Sequence, residues 1–406
     1  MRTGRGANTN MTALIIGGGV CGPVAAMALQ RAGIEAVVYE AHRPAAGDAG
    51  SYLTVATNGL DALRAIGADG PVRRASFPTG HTVLLSGSGK RLGRVPLGST
   101  VDDAGVSRTI KRAHLHRALH EEAAQRGVRI EFGKRLNGAR LIAGGVRAEF
   151  DDGSSADGTL LIGCDGVHSA TRAIIDPRAP QPRYVGLLNF GGYTAGMAAG
   201  EPGVWQMIFG ARAFFGYAAD AEGGTVWFAN VPRQAVSRAE RASTAAGQWT
   251  QWLVDLVAGD RGPAADLIAA GTLQLAGDNT HDLPSVPTWH NGPLIVVGDA
   301  AHAPSPSSGQ GASMAMEDGV VLAQCLRDAA GIPEAFADFE RIRRRRVERI
   351  VAHGARSSSS KTAGRIGGAV RDLILPFVFR HVVTEQSMAW IFQHHIEWDR
   401  PALAAT

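Results

Sequence analysis

A chain of 406 residues that is 45% apolar and 19% charged can bury more than one core layer, which excludes a disordered or fibrous protein. The net charge of +4 is small for this length, and the run Arg341, Arg343, Arg344, Arg345, Arg346 comes without a nucleic-acid motif or interleaved aromatics. That run is read as a solvated helix face, with no nucleic-acid partner expected.

Residues 1–11 read as a flexible leader. The short apolar run Ala13 to Ile16 breaks at three glycines, so it is a buried strand rather than an export signal. Strand, turn, helix and strand follow from Ala13 to Glu40, a βαβ start that implies a parallel sheet. The turn is Gly17-Gly18-Gly19-Val20-Cys21-Gly22, a G-x-G-x-x-G fingerprint placed between strand and helix. Gly17 permits the tight turn, Gly19 lets the backbone reach a pyrophosphate, and Gly22 lets the helix pack on the sheet. Val20 and Cys21 open that helix, whose free N–H groups and dipole favour an anion. Glu40 closes the next strand and can accept from a ribose hydroxyl. The fingerprint alone does not separate a flavin from a nicotinamide dinucleotide.

Alternation in His81 to Leu85 and Arg91 to Val95 predicts a hairpin, and Lys111 to Arg126 has helical spacing. His116 and His120 stand i, i+4 on that helix, a metal-like spacing, but without a third ligand they read as packing or surface histidines, and no metal is expected. From about Arg183 to Leu275 aromatic and β-branched runs separated by Gly and Pro predict a second, antiparallel sheet, with Gly247 to Leu256 as a helix that covers it. Leu294 to Val297 is another buried strand. Asp299 follows it, at the carboxyl edge where open α/β sheets place ligands. Pro304 and Pro306 stiffen the next loop, and Gly309-Gln310-Gly311-Ala312 lets bare amides begin a helix that runs to Leu326. The helix from Pro333 to about Val351 carries the arginine run. Gly364 to Trp398 reads as amphipathic helices packed on the body or on a second subunit, with a cap over the substrate entrance as the alternative. Cys21, Cys164 and Cys325 match neither a disulfide framework nor a zinc spacing, which suits a reducing cytoplasm. No apolar stretch approaches the roughly 20 residues of a membrane span. Oligomeric state is left open.

Two further segments carry a resemblance. Gly163-Cys164-Asp165-Gly166-Val167-His168-Ser169-Ala170-Thr171-Arg172 resembles the Asp-Gly motif, and Gly298-Asp299-Ala300-Ala301-His302 the Gly-Asp motif, of the class A flavoprotein monooxygenases. This group of aromatic hydroxylases includes 4-hydroxybenzoate hydroxylase, salicylate hydroxylase and the tetracycline-inactivating monooxygenases. Order and spacing match from Thr12 to about Ser360.

The fold expected is α/β. A Rossmann-like, glutathione-reductase-like FAD-binding domain takes residues 12–182 and 276–360. An antiparallel substrate domain takes 183–275 with strands near 80–96, and a C-terminal helical segment takes 361–406. The resemblance implies FAD as cofactor, NADH or NADPH as a transient electron donor, and O2. The substrate implied is a small apolar or aromatic molecule, hydroxylated or epoxidised through a flavin C4a-hydroperoxide. It implies that Gly298 and Asp299 hold the ribityl chain. Arg112 reaches the phosphate or ribityl region, with Arg108 a second candidate. Asp165 takes part in FAD binding and domain coupling, and Arg43 lies near the adenosine. Pro306 lies beside the isoalloxazine, and Gly309, Gln310, Gly311 and Ala312 face its pyrimidine oxygen. Many members have a proline where this chain has Ser305. His302 supports the loop or, alternatively, moves a proton; with chemistry carried by the flavin no acid–base triad is expected, and catalytic residues stay unassigned. Phe209, Phe214, Phe215, Tyr217, Trp227 and Phe228 are candidates to line the substrate pocket. Rival readings are an FAD-dependent reductase without oxygen insertion and a non-catalytic flavin carrier; the W-x-W-x-I-P segment of flavin halogenases is absent.

Overall fold

The computed structural model describes residues 11–43, 50–98, 105–359, 374, 376–378 and 383–405. The leader, apart from Met11, and much of the C-terminal segment lie outside these residues.

Unbroken apolar runs such as Leu14-Ile15-Ile16 and Leu160-Leu161-Ile162 cannot present a polar face, so their strands are buried on both sides. They form the centre of a six-stranded sheet in the order His290–Asn291, Leu294–Val296, Leu160–Gly163, Thr12–Ile16, Glu35–Glu40, Arg129–Phe132. All neighbours are parallel except the edge strand His290–Asn291. The register fixes where the chain leaves this sheet. Ile16 is level with Gly163, and Gly163 with Val296, so three chain segments emerge side by side at its carboxyl edge.

Helices Cys21–Arg31 and Gly311–Asp328 pack together over this sheet. A side chain at Gly319 would stand 2.9 Å from the Ala25 nitrogen, so glycine there sets how closely they cross. The helix Ile332–Ser359 covers the second of them.

The second large sheet has seven strands, in the order Thr272–Asp282, Arg183–Thr194, Thr225–Pro232, Phe214–Ala219, Val204–Phe209, His81–Ser86, Arg91–Pro96. It is antiparallel except where Val204–Phe209 meets His81–Ser86. Its edge strand runs on to Asp282, past the Leu275 boundary read from sequence texture; an edge strand half open to water tolerates the polar stretch Gly277-Asp278-Asn279-Thr280. Helices Ala246–Val257 and Ala264–Ala270 pack on one face of this sheet.

The arginine run is not the solvated face its composition suggests. Arg343 is 0% exposed, while Arg341 and Arg345 point to solvent. Residues 343 and 346 share one helical face, and that face meets Glu317 and Asp318 of the helix beneath. The described part of the C-terminal segment packs on the body: Thr57 Oγ1 donates to the Phe392 oxygen at 2.5 Å and the Ile396 N–H to Asp61 at 2.8 Å. Among the described residues no helix is long and apolar enough to cross a membrane.

Candidate active site

The first motif is built by exclusion. Gly17 has φ +106, and a Cβ on it would lie 2.4 Å from the Cys164 oxygen and 3.0 Å from the Asp165 Cα. A Cβ on Gly22 would lie 2.0 Å from the Gly17 oxygen, whereas at Gly19 nothing lies within 4 Å. The turn is thus closed against protein on two sides and open on the third, where a ligand has room.

Glu40 accepts from the Gly18 N–H at 2.6 Å and the His42 N–H at 2.8 Å. Burial alone would raise its carboxyl, but these donors outweigh it and hold Glu40 below the usual carboxylate range. His120 Nε2 donates to the Gly18 oxygen at 2.5 Å, so that histidine supports the turn. His116, stacked beside it at 6.3 Å, is pushed down to about 4 by burial and then by Arg112 and His120, and its buried Nε2 has no partner among the described residues. Among the described residues no three His, Cys, Asp or Glu side chains are grouped to hold a metal.

The second motif is a self-bonded loop. Asp165 accepts from Ser169 Oγ at 2.5 Å, the Thr171 N–H at 2.9 Å and Thr171 Oγ1 at 3.1 Å, while Ser169 caps the helix Ala170–Ile175. Arg172 received no role from sequence, yet it is 3% exposed and donates to the Ala300 oxygen at 3.0 Å and the Val167 oxygen at 2.8 Å. It therefore pins the second motif to the third. Burial lowers its pKa and Asp165 opposes that, so the cation is held by carbonyls and one nearby carboxylate.

The third motif turns at Gly298, where φ is +60 and a Cβ would lie 3.4 Å from the Cys21 Cβ. The Gly298 N–H donates to Asp318 at 2.8 Å, and His302 Nε2 donates to the same oxygen at 2.6 Å. His302 is thereby buried under the loop it supports. Asp299 is different: its side chain is exposed, although neighbouring protein desolvates its carboxyl. That desolvation pushes its carboxyl up, Asp318 adds to the rise, and His302 and Arg112 oppose it. A Cβ on Gly311 would lie 3.8 Å from Asp299 Oδ1, so the start of the helix Gly311–Asp328 faces this carboxylate. Gly309, with φ +62, and Pro306 are exposed around it, Gln310 is 1% exposed beneath, and Ala312 is half-buried.

Arg112, exposed at the start of the helix Arg112–Gln125, acts electrostatically on both Asp299 and His116. Arg108 is spent elsewhere: it donates to Ser76 Oγ and Ser76 O at 2.7 Å and to Arg73 O at 3.0 Å. Arg43 is exposed three residues past the end of the strand Glu35–Glu40.

A cradle that any side chain would fill, open space at Gly19, helix N-termini from two motifs and an exposed carboxylate beside the second of them fit an elongated dinucleotide. The comparisons with known proteins agree. A family model described as an FAD binding domain matches residues 10–353. The chain belongs to this family.

Its relatives are oxygenases. The chain is 32% identical over 351 residues to the FAD-dependent urate hydroxylase of Klebsiella pneumoniae, covering 84% of this chain and 88% of that one. It is 29% identical over 348 residues to the aurachin C monooxygenase/isomerase of Stigmatella aurantiaca, covering 85% and 88%. The crystal structure of Klebsiella pneumoniae HpxO complexed with FAD and uric acid superposes with a TM-score of 0.81 at 27% identity, covering 94% of this chain and 96% of that one. The protein is a class A flavin monooxygenase, an oxidoreductase with FAD as its cofactor.

Within this monooxygenase, strand alternation sorts the six aromatic pocket candidates. Phe215, Tyr217 and Trp227 fall on the face under helices Ala246–Val257 and Ala264–Ala270, where they are core. Phe228 falls on the opposite face with Trp205, Met207 and Tyr193, and Phe209 and Phe214 pack beside it. That face meets the small sheet that leads into Arg112: Trp205 Nε1 donates to Thr109 Oγ1 at 3.0 Å, on the strand Arg108–Lys111, and a Cβ on Gly191 would meet Ser51 Oγ at 2.4 Å. Asn189 and Asn230, which sequence reasoning passed over, stand opposite each other on this face, joined by a 3.0 Å hydrogen bond.

Proposed function

We propose that the chain takes reducing equivalents from NADH or NADPH, uses O2, and places one oxygen atom on a small neutral aromatic molecule. The substrate lies between the flavin and the Phe228 face of the seven-stranded sheet. When bound, FAD supplies hydride acceptance and oxygen activation, so the side chains bind, orient and exclude water. Backbone amides of Gly17 to Gly22 hold the pyrophosphate, Glu40 the ribose and Arg43 the adenosine end. Arg112 and Asp299 hold the ribityl region. Asp165 acts through the loop that Arg172 ties to Ala300. The amides of Gly309 to Ala312, with Pro306 beside them, face the pyrimidine oxygen, where negative charge grows on reduction.

One observation carries the reading: in-register strand ends bring all three motifs to one sheet edge, and the ring-lined side of the other sheet touches the strand that leads into Arg112. The relatives' names point to planar rings, urate in one and 3-amino-4-hydroxybenzoate in another. Trp205, Met207 and Phe228 together with the Asn189–Asn230 carboxamides offer apolar surface and neutral hydrogen bonding, which suits an uncharged ring better than a benzoate. Three free, buried cysteines accord with a reducing cytoplasm.

The test is substrate-stimulated NADH or NADPH oxidation over matched neutral and carboxylated rings under isotopically labelled dioxygen. Neutral rings should stimulate turnover and yield a labelled product. A product without label, or a preference for the carboxylates, would overturn the proposal.

A further inference from the structure

The helix Thr57–Ala65 carries Asn58, fully buried against the start of the helix Gly311–Asp328. Asn58 Nδ2 donates to Gln310 Oε1 at 3.0 Å and to Glu317 Oε1 at 2.6 Å. Glu317 in turn receives Arg346 Nε at 3.0 Å and Arg346 Nη2 at 2.8 Å. Arg346 also donates to the main-chain oxygens of Trp390 and Ile391, the latter at 2.9 Å, in the helix Glu385–Phe392. A continuous hydrogen-bonded path thus runs from the C-terminal segment, through the partly buried Arg346, to Gln310 at the start of the helix Gly311–Asp328. The same segment grips the outer side of the Asn58 helix, through Thr57 to the Phe392 oxygen at 2.5 Å and through Asp61 to the Ile396 N–H at 2.8 Å.

Direction along this path is fixed by charge. Reversing the Asn58 amide would set its oxygen against the Glu317 carboxylate, so the ion pair dictates which end meets Gln310. Glu317 stays ionised: burial alone would raise its carboxyl, but Arg343 and Arg346 hold it well below the usual range. Among the described residues Asn58 Oδ1 and Gln310 Nε2, both buried, have no hydrogen-bond partner. The two amides therefore do not sit where their own hydrogen bonding would be completed within the protein; Glu317 sets them there.

We propose that the segment Glu385–Trp398 is a strap that sets the flavin loop, acting through Arg346, Glu317, Asn58 and Gln310, with Asn58 and Asp61 as positioning residues. It rests on the reading that Gly309 to Ala312 face the flavin pyrimidine. The strap pulls the Asn58 helix and Glu317 into place, and Asn58 holds Gln310, so the amides that follow Gln310 are aimed before FAD arrives. Because those amides favour the reduced, more negative flavin, misaiming them weakens the reduced form more than the oxidised one.

The test uses the full-length chain and two readouts besides turnover: the FAD dissociation constant and the flavin midpoint potential. Asn58→Ala leaves Glu317 with both arginines, so the fold is retained. It should weaken FAD about tenfold, and a further tenfold loss for the reduced form would shift the potential negative by about 30 mV. Asp61→Ala, remote from the loop, should shift both in the same direction by less. Since the links act in series, the double variant should be no worse than Asn58→Ala alone. Unchanged affinity and potential beside a lowered melting temperature would overturn the proposal, as would fully additive effects. A parent chain that takes up no FAD would instead overturn the flavin reading itself.

Discussion

At the carboxyl edge of the parallel sheet the limiting contacts are backbone against backbone; on the seven-stranded sheet they are ring against ring. A methyl group on Gly22 would stand 2.0 Å from the Gly17 oxygen, and no rotamer relieves that. On the other sheet Trp227 and Phe228 are adjacent in the chain, yet one lies under two helices and the other on the opposite face beside Trp205 and Met207. The first region cannot change without losing fold and cofactor together. The second can change on one face while its other face keeps the core; with the substrate on the Phe228 face as proposed, its choice would drift on a fixed cofactor platform.

The sharpest way to break this contrast is to truncate its two neighbours. Trp227 is fully buried, stacks on Phe215 at 6.0 Å and donates to Thr194 Oγ1 at 3.1 Å. Trp227→Ala should cost roughly 3–5 kcal/mol of stability in denaturant unfolding, with KM of the surviving enzyme little changed. Phe228→Ala should cost less stability, about 1–3 kcal/mol, and raise KM several-fold. The opposite pattern would place the substrate on the helix-covered face.

A smaller effect sharpens the same contrast through pH. His116 falls from an ordinary 6.5 to about 4 in the folded chain, through burial and then the charges of Arg112 and His120. Its folded pKa is depressed, so the unfolded chain binds the proton first; stability is full above pH 6.5 and is lost as pH falls toward about 4. Glu317 and Asp318, also depressed, extend that loss below the usual carboxylate range. Acid should therefore loosen the dinucleotide region first. Relative to the intrinsic exchange rate at each pH, amide exchange at pH 5 against pH 7 should rise around the first motif more than on the strands Phe214–Ala219 and Thr225–Pro232. His116→Gln should flatten the dependence between these values, and an unchanged slope would assign it to other groups.

Legibility in the sequence divides along the same line. Gly17, Gly22 and Gly298 announce themselves because a turn at a strand end is a local constraint, visible within a few residues. The side of the sheet that Phe215 or Phe228 faces is not local. Alternation says they differ, but only the packing of Ala246–Val257 decides which is core. The arginine run misleads for a related reason: composition suggests water, and the partners of Arg343 and Arg346 lie on another helix. A signal was present in Glu317-Asp318, two carboxylates inside an otherwise apolar helix, which need buried cations to be tolerated. Arg172 stood within a motif already singled out, but its tie to Ala300 joins positions 128 apart and has no sequence pattern.

The central claim is that three stretches of backbone meet to hold one FAD. Titration of the flavin-free full-length chain with FAD, followed by flavin absorbance and calorimetry, tests it most directly. One FAD per chain is expected for the parent and none for Gly22→Ala at the same concentrations. Equal binding by both, or a parent that prefers a nicotinamide dinucleotide, would contradict it.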